Sequence, residues 1–135
     1  MSEENVEAFR TGLEAYNRRD VDAFLAAFDP RVEIHPLTLA MFGREETVYR
    51  GHEGIQQFIR DVDEVLPGIQ VEPLEFRDLG ERIVATGRLH ARGRASGAEV
   101  ESPIGWLVEF RDGRVIRMTD FLDPKEALEA AGLSG

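Results

Sequence analysis

The chain has 135 residues, enough for one domain with a substantial core and too few for two. Its formal net charge of -10 would repel nucleic acid and anionic membranes, and its lack of cysteine excludes disulfides and thiol chemistry. The acidic N-terminus has no apolar signal region and no segment reaches membrane-spanning length, so we expect a cytoplasmic protein.

Helical periodicity dominates the first half of the chain. Apolar side chains recur every three or four residues, as in amphipathic helices. Asp20 is placed to cap a second helix, which Asp29-Pro30 ends, and Pro67-Gly68 ends the third. In chain order we predict two helices, a short strand, a loop and a third helix at about residues 3–18, 21–28, 32–35, 36–50 and 53–66.

The pattern then changes to a period of two, which is typical of strands. Ser96-Gly97 and Asp112-Gly113 are two-residue turn signals, and Asp123-Pro124 begins a last helix that Gly132 ends. Four strands are predicted at about residues 70–77, 82–94, 98–111 and 114–122. Helices followed by an antiparallel meander define an α+β fold, and we expect a single domain over residues 1–135.

Hairpin register predicts which side chains of this meander meet. The later turn puts Gly105 opposite Asp120, and the earlier turn puts Arg88 opposite Gly105. Side chains directly across a ladder share one face. Arg88 and Asp120 would therefore flank an open space above Gly105 where a ligand atom could lie, with His90 one step along.

Charge and composition give two further indications. The earlier turn pairs Arg94 with Glu99 and Arg92 with Glu101, which supports its register. The face opposite the Arg88 row is the more apolar one, so composition alone would place the helices against it and leave Arg88 in water. Its apolar members are Leu89, Ile104, Trp106, Val108, Phe110 and Phe121.

The order of elements and three segments resemble the SnoaL-like branch of the NTF2-like superfamily over nearly the whole chain. The segments are Tyr49-Arg50-Gly51-His52-Glu53-Gly54-Ile55, residues 112–123 and residues 126–133. The resemblance implies a cone, in which a curled antiparallel sheet wraps around an apolar cavity closed by the N-terminal helices. It also implies that the Arg88–Asp120 face lines this cavity and that the Trp106 face forms a homodimer.

Two enzyme groups within that superfamily carry similar residues. Arg88 and Asp120 are similar to the arginine and one aspartate of limonene-type epoxide hydrolases, but His90 stands where those enzymes have a second aspartate. Asp120 also matches the acid/base aspartate of SnoaL-type polyketide cyclases. Their ring closure needs a base for the proton beside a carbonyl and a donor for the developing enolate oxygen.

These resemblances imply catalytic roles for three residues. Asp120 would be the base, since apolar neighbours raise the pKa of a buried carboxyl. His90 would exchange the proton, and Arg88 would orient the substrate or stabilise its oxyanion. Each residue also has a non-catalytic interpretation. Asp120 could be a surface aspartate, His90 a polar residue at the cavity rim, and Arg88 one of a row of solvent-exposed arginines along its strand.

Several side chains are expected to bind a ligand in the cavity, most of them with an apolar body. They are Tyr16, Phe28, His35, Met41, Tyr49, Phe58, Leu107 and Met118. Three histidines without clustered spacing make a poor case for a metal, and we expect no cofactor.

Three functions stay open at this point. The first is a cofactor-independent acid/base enzyme, a cyclase, isomerase or hydrolase, acting on a small, largely apolar, oxygenated molecule. The second is a non-catalytic module that holds such a molecule, and the third is a dimeric scaffold, because one fold hosts many functions.

Overall fold

We analysed the chain in a computed structural model that describes residues 2–40, 48–92 and 97–133. The elements in chain order are α1 (Ser2–Arg18), α2 (Val21–Ala26), β1 (Phe28–Pro36), α3 (Leu37–Ala40), β2 (Tyr49–Arg50), α4 (Gly51–Val65), β3 (Gln70–Asp78), β4 (Arg82–Arg92), β5 (Glu99–Arg111), β6 (Arg114–Phe121) and α5 (Pro124–Ala130). The predicted α+β class is confirmed. The segment predicted as a loop at 36–50 contains α3 and β2.

Helix ends follow the predicted capping chemistry. The Asp20 side chain accepts a hydrogen bond from the Ala23 amide at 3.2 Å, and Asp123 does the same for Lys125 at 2.9 Å. Between α1 and α2 the chain turns at Arg19, whose φ is +61°. The second helix is shorter than predicted, because Phe28 already begins β1.

Within the described ranges, six strands form one curled, unclosed sheet in the order β2-β1-β6-β5-β4-β3. Every neighbouring pair is antiparallel except β1 and β6, which run parallel. The predicted antiparallel meander is therefore right for β3 to β6. The parallel pair was not predicted, because no turn joins β1 to β6 and the sequence between them carries no register signal.

A β-bulge shifts the last hairpin by one residue. The turn at Asp112-Gly113 pairs Arg111 with Arg114, but Phe110 pairs with Val115 and Glu109 with Arg117, so Ile116 is an extra residue. Beyond the bulge, Asp120 lies opposite Trp106 and not opposite Gly105 as predicted. A shift of one residue turns each later side chain of the strand to the other face of the sheet.

The β4–β5 hairpin differs from its predicted register by two residues. Arg88 pairs with Pro103 and Arg92 with Glu99, so the predicted Arg88–Gly105 and Arg92–Glu101 pairings are wrong. Of the predicted Arg94–Glu99 pair, Arg94 lies outside the described residues, whereas Glu99 pairs with Arg92. A shift of two keeps each side chain on its face. Charge pairing could not distinguish the two registers, because each brings arginine side chains close to glutamates. In the observed register Arg88 pairs with Glu101.

The helices α1, α2 and α4 cover the inner face of the sheet, which carries Leu89, Ile104, Trp106 and Val108. Trp106 is only 3% exposed and packs edge-on against Phe9 of α1, with ring centroids 5.7 Å apart. The predicted homodimer contact through the Trp106 face is therefore wrong, because the chain covers that face with its own helices. Composition predicted that the helices pack against the Trp106 face, which is correct. The resemblance implied that they pack against the opposite face.

The outer face of the sheet carries α5. Gly105 makes this contact close: a Cβ there would lie 2.8 Å from the Ala127 Cβ and 3.0 Å from the Pro124 Cα. The space above Gly105 is thus filled by α5 and does not receive a ligand. A second close approach occurs at Gly87, where a Cβ would lie 2.1 Å from the Glu72 carbonyl oxygen. None of the described helices is long and apolar enough to cross a bilayer.

Candidate functional site

A cavity of about 260 Å³ lies between the helices and the inner face of the sheet. It is slightly smaller than the range of about 300–1,000 Å³ common for ligand pockets, which favours a small ligand. Aromatic side chains supply much of its wall: Phe9, Tyr16, Phe24, Phe28, Phe58 and Trp106. The wall also contains aliphatic residues of the sheet, including Leu89, Ile104 and Met118.

Asp120 is the charged group among the described residues that line the cavity. The bulge at Ile116 brings it to the inner face, next to Trp106 on β5. It is only 4% exposed. A carboxylate is rarely buried to this degree without a structural or functional reason, and here it lines an apolar cavity.

Tyr16 lines the same cavity from α1 and is 7% exposed. Its ring packs against Phe24 at a centroid distance of 5.3 Å. Burial raises the pKa of the Tyr16 phenol to about 12, and the charges of Asp63 and Asp120 add to this against the opposing effect of Arg19. Tyr16 therefore stays protonated, and can donate a hydrogen bond, throughout the neutral range.

Arg19 fixes Tyr16 at the end of α1. Its guanidinium carbon lies 4.6 Å from the centroid of the Tyr16 ring, a cation–π contact. The same guanidinium donates to the carbonyls of Tyr16 at 2.8 Å and Ile69 at 2.9 Å, and pairs with Asp63 at 3.0 Å. It therefore ties the end of α1 to α4 and to the segment before β3.

Arg88 and His90 lie on the outer face, away from the cavity. Arg88 pairs with Glu101 at 2.5 Å, and the His90 Nε2 lies 3.4 Å from Glu72, with the side chains of Arg88 and His90 nearly half exposed. The structure does not bring them together with Asp120. The prediction that these three side chains lie together is wrong, because the bulge turns Asp120 to the inner face of the sheet whereas Arg88 and His90 lie on the outer face.

The residues predicted to bind a ligand divide into two groups. Tyr16, Phe28, Phe58 and Met118 line the cavity. His35, Tyr49 and Leu107 do not appear in its wall: His35 contacts Glu33, Tyr49 donates to Asp61, and Leu107 packs beside α5. Met41 lies outside the described residues.

Sequence reasoning missed several lining residues, above all Trp106, Phe9 and Ile104. A signal for them existed in the apolar character of their strand face and in the helical spacing of α1. The described residues contain no group of three or more histidine and acidic side chains suited to a metal ion. His52 contacts the Phe28 carbonyl through its Nε2 at 3.0 Å.

A curled, unclosed sheet that wraps around an apolar cavity, with helices against its inner face, is the architecture of an NTF2-like fold. The model of the SnoaL-like domain matches residues 7–118, and the chain belongs to this family. No functionally curated protein matches the chain.

Solved structures agree with this assignment over nearly full length. An NTF2-like protein of unknown function from Burkholderia pseudomallei K96243 is 28% identical, with a TM-score of 0.80 and coverage of 96% of this chain and 97% of that one. TerC, crystallised with polyporic acid, is 27% identical, with a TM-score of 0.81 and coverage of 93% and 96%. A protein from Jannaschia sp. CCS1 proposed to be a SnoaL-like polyketide cyclase is 21% identical, with a TM-score of 0.77 and coverage of 98% and 91%.

Proposed function

We propose that this protein binds a small, largely apolar, oxygen-bearing molecule in the cavity and acts on it as a cofactor-independent acid/base enzyme. Asp120 is the base. The observation that carries the proposal is the position of this carboxylate, 4% exposed in the wall of a largely apolar cavity. A few polar groups in an apolar pocket are the usual arrangement for orienting a small ligand.

The chemistry open to Asp120 is proton transfer. A carboxylate in contact with an apolar ligand can remove a proton from a carbon beside a carbonyl, or activate water against an epoxide. The first reaction corresponds to a cyclase or isomerase and the second to a hydrolase. Arg88 and His90 take no part, because both lie on the outer face of the sheet.

The relatives support an oxygenated aromatic or polyketide-like ligand. TerC was crystallised with polyporic acid, and the Jannaschia protein was proposed to be a polyketide cyclase. The aromatic wall of the cavity suits flat, apolar rings of this kind, because stacked or edge-to-face aromatic rings stabilise a complex beyond the gain from burying apolar area.

Binding can be measured without a label, because Trp106 is the single tryptophan of the chain and lines the cavity. Binding of polyporic acid, 2-tetralone and styrene oxide is measured by the change in Trp106 fluorescence emission. Turnover is then followed by mass spectrometry in D₂O, which detects proton exchange in the ketone and hydration of the epoxide.

Asp120→Asn should lower the rate of turnover by about 10²–10⁴-fold while binding changes by less than about tenfold. Asp112→Asn is the matched control, because it removes a carboxylate from the exposed β5–β6 turn. Ligand binding with no turnover by the wild-type protein would favour the non-catalytic module. Equal turnover by wild type and Asp120→Asn would contradict the role of Asp120.

A further inference from the structure

We propose that Val100 is the specificity-determining residue at the entrance of the cavity. A ligand enters between Val100 and the turn that follows α4, and a linear substituent longer than the cavity leaves through the same opening. The ligand class is then a flat apolar molecule that carries such a substituent at the end remote from Asp120. This inference rests on the proposed function of the cavity, but the opening itself can be tested without a ligand.

A surface groove of about 400 Å³ meets the cavity at Val100. This half-buried side chain lines both spaces. In the turn after α4, Leu66 and Ile69 line the cavity, whereas Pro67 and Gly68 between them line the groove. The turn and Val100 therefore form two sides of one opening between the groove and the cavity.

The register of β4 and β5 locates this opening on the sheet. Leu89 pairs with Ser102, and both line the cavity. Ala91 pairs with Val100 one step further along the hairpin, and both line the groove. Paired side chains share a face of the sheet, so the inner face passes from the cavity to the groove within this step.

The cavity runs along β5 from Asp120 to Val100. Trp106 lies opposite Asp120, and Val100 is six residues away on the same strand and the same face. At about 3.3 Å per residue this separation is at most about 20 Å. Phe28 pairs with the start of β6, at the other end of the cavity, and its ring packs against Phe24 at a centroid distance of 4.8 Å. These two rings close that end, so a ligand that reaches Asp120 points its far end toward Val100.

The end of α1 holds the turn after α4 in place. The Arg19 guanidinium donates to the Ile69 carbonyl at 2.9 Å and pairs with Asp63 at 3.0 Å. Asn17 exchanges two hydrogen bonds with the Val71 backbone. Because these contacts fix one side of the opening, its width depends on the side chain at position 100 on the other side.

Leu122 marks a second place where the cavity meets a surface groove, beside α5. It follows Asp120 by two residues, so an entrance there would expose the carboxylate to water, whereas Asp120 is only 4% exposed. Leu37 and Phe121, which line this second groove, also pack in the small core beneath α5. By contrast, a Cβ on Gly68 would meet no heavy atom within 4 Å. The observations therefore favour the opening beside the turn after α4.

Quenching of Trp106 emission by acrylamide tests the opening without a ligand, because this single tryptophan is 3% exposed and lines the cavity. In Val100→Phe the bimolecular quenching constant should fall by at least about threefold, since a larger side chain narrows the path of diffusion. In Val100→Ala the constant should rise. Leu122→Phe is the matched control, because it enlarges the side chain at the second groove and should leave the constant within about 1.5-fold of wild type.

Val100→Ala decides the outcome if Val100→Phe does not fold, which circular dichroism detects. An unchanged quenching constant in Val100→Ala refutes the opening at Val100. A fall in Leu122→Phe without a fall in folded Val100→Phe places the entrance beside α5 and also overturns the inference.

Ligand length is tested with 2-acetonaphthone and 2-octanoylnaphthalene, two aryl ketones that differ only in a linear chain. Binding is measured by the change in Trp106 emission, and wild type and Leu122→Phe should bind both. Val100→Phe should weaken binding of the octanoyl compound at least about tenfold more than that of the acetyl compound, because its chain can no longer leave the cavity. Val100→Ala should shift the ratio of the two dissociation constants in the opposite direction.

The inference and the proposed function fail in different ways. If wild type binds neither ketone, the proposed function of the cavity is contradicted, while acrylamide quenching still reports on the opening. Equal weakening of both ketones in Val100→Phe, with an unchanged ratio in Val100→Ala, refutes the role of Val100 in specificity and leaves the proposed function standing.

Discussion

Tyr16 shows at the scale of one residue how burial and neighbouring charges set the protonation of a phenol. Removal from water raises its pKa to about 12, the carboxylates of Asp63 and Asp120 act in the same direction, and Arg19 opposes them. The neutral form is therefore favoured by folding. Its contribution to stability is fully present below the ordinary pKa of 10 and is lost as the pH rises from about 10 to about 12.

The pKa of Tyr16 can be measured directly in Tyr49→Phe, in which it is the single remaining tyrosine. We expect the absorbance of the tyrosinate to appear at about pH 12 in the folded protein. Adding Asp120→Asn should lower the midpoint, because one of the charges that raise the pKa is removed. Adding Arg19→Gln should raise it. A midpoint near 10 before unfolding would contradict the burial of this phenol.

Asp120 illustrates how far a residue's surroundings could be predicted from sequence. The apolar residues on its strand indicated burial, and its side chain does lie in an apolar wall. Its predicted neighbours were wrong, since Trp106 and not Gly105 lies opposite. The burial of a strand side chain depends on the apolar pattern around it in the sequence. Its cross-strand neighbours depend on the register of the two strands, which one extra residue can change.

At the scale of the element, β6 decides the chemistry of the site. A regular hairpin from Asp112-Gly113 would place Asp120 on the outer face, beside α5. The extra residue at Ile116 turns Asp120 inward while Val115, on the other side of the bulge, also stays in the core. A bulge has no reliable sequence signal when no glycine marks it, so the register could not be predicted from the turn alone.

The link between α1 and β3 is a second element that can be tested. The Asn17 amide donates to the Val71 carbonyl at 2.8 Å, and its oxygen accepts from the Val71 amide at 2.9 Å. This side chain satisfies backbone groups on the free edge of β3, as a neighbouring strand would.

Asn17→Ala should destabilise the protein by about 1–3 kcal/mol, because the backbone amide and carbonyl of Val71 lose their hydrogen-bond partner. The free energy of unfolding is measured by urea denaturation. Glu14→Ala, an exposed change on the same helix, is the control and should stay within about 0.5 kcal/mol of wild type. Equal stability of both variants would show that the Asn17 contact contributes nothing.

At the scale of the whole molecule, the cavity is enclosed because helices of the same chain cover the inner face of the sheet. The inner face packs against α1, α2 and α4, and part of the outer face packs against α5 through Val84 and Phe121. The homodimer stays a prediction, and any such contact must use a surface other than the Trp106 face.

Trp106→Glu tests this arrangement. We expect loss of the folded state, with a cost above about 4 kcal/mol, because a charge would replace a side chain that is 3% exposed. Circular dichroism and size-exclusion chromatography distinguish this from dissociation of a dimer. Leu74→Glu is the control, since Leu74 is 56% exposed and should tolerate the charge. A folded monomeric Trp106→Glu variant, derived from a dimeric wild type, would contradict our account.

The sequence by itself determined the fold class and most of the elements, but not α3 and β2. The period of side chains along α1, α4 and the strands depends on local geometry, and the caps at Asp20 and Asp123 depend on neighbours within three residues. The tertiary structure alone decided which side chains share the cavity. A one-residue bulge in β6 and a two-residue shift between β4 and β5 changed the neighbours of Asp120 and Arg88, because cross-strand contacts depend on register summed over distant residues.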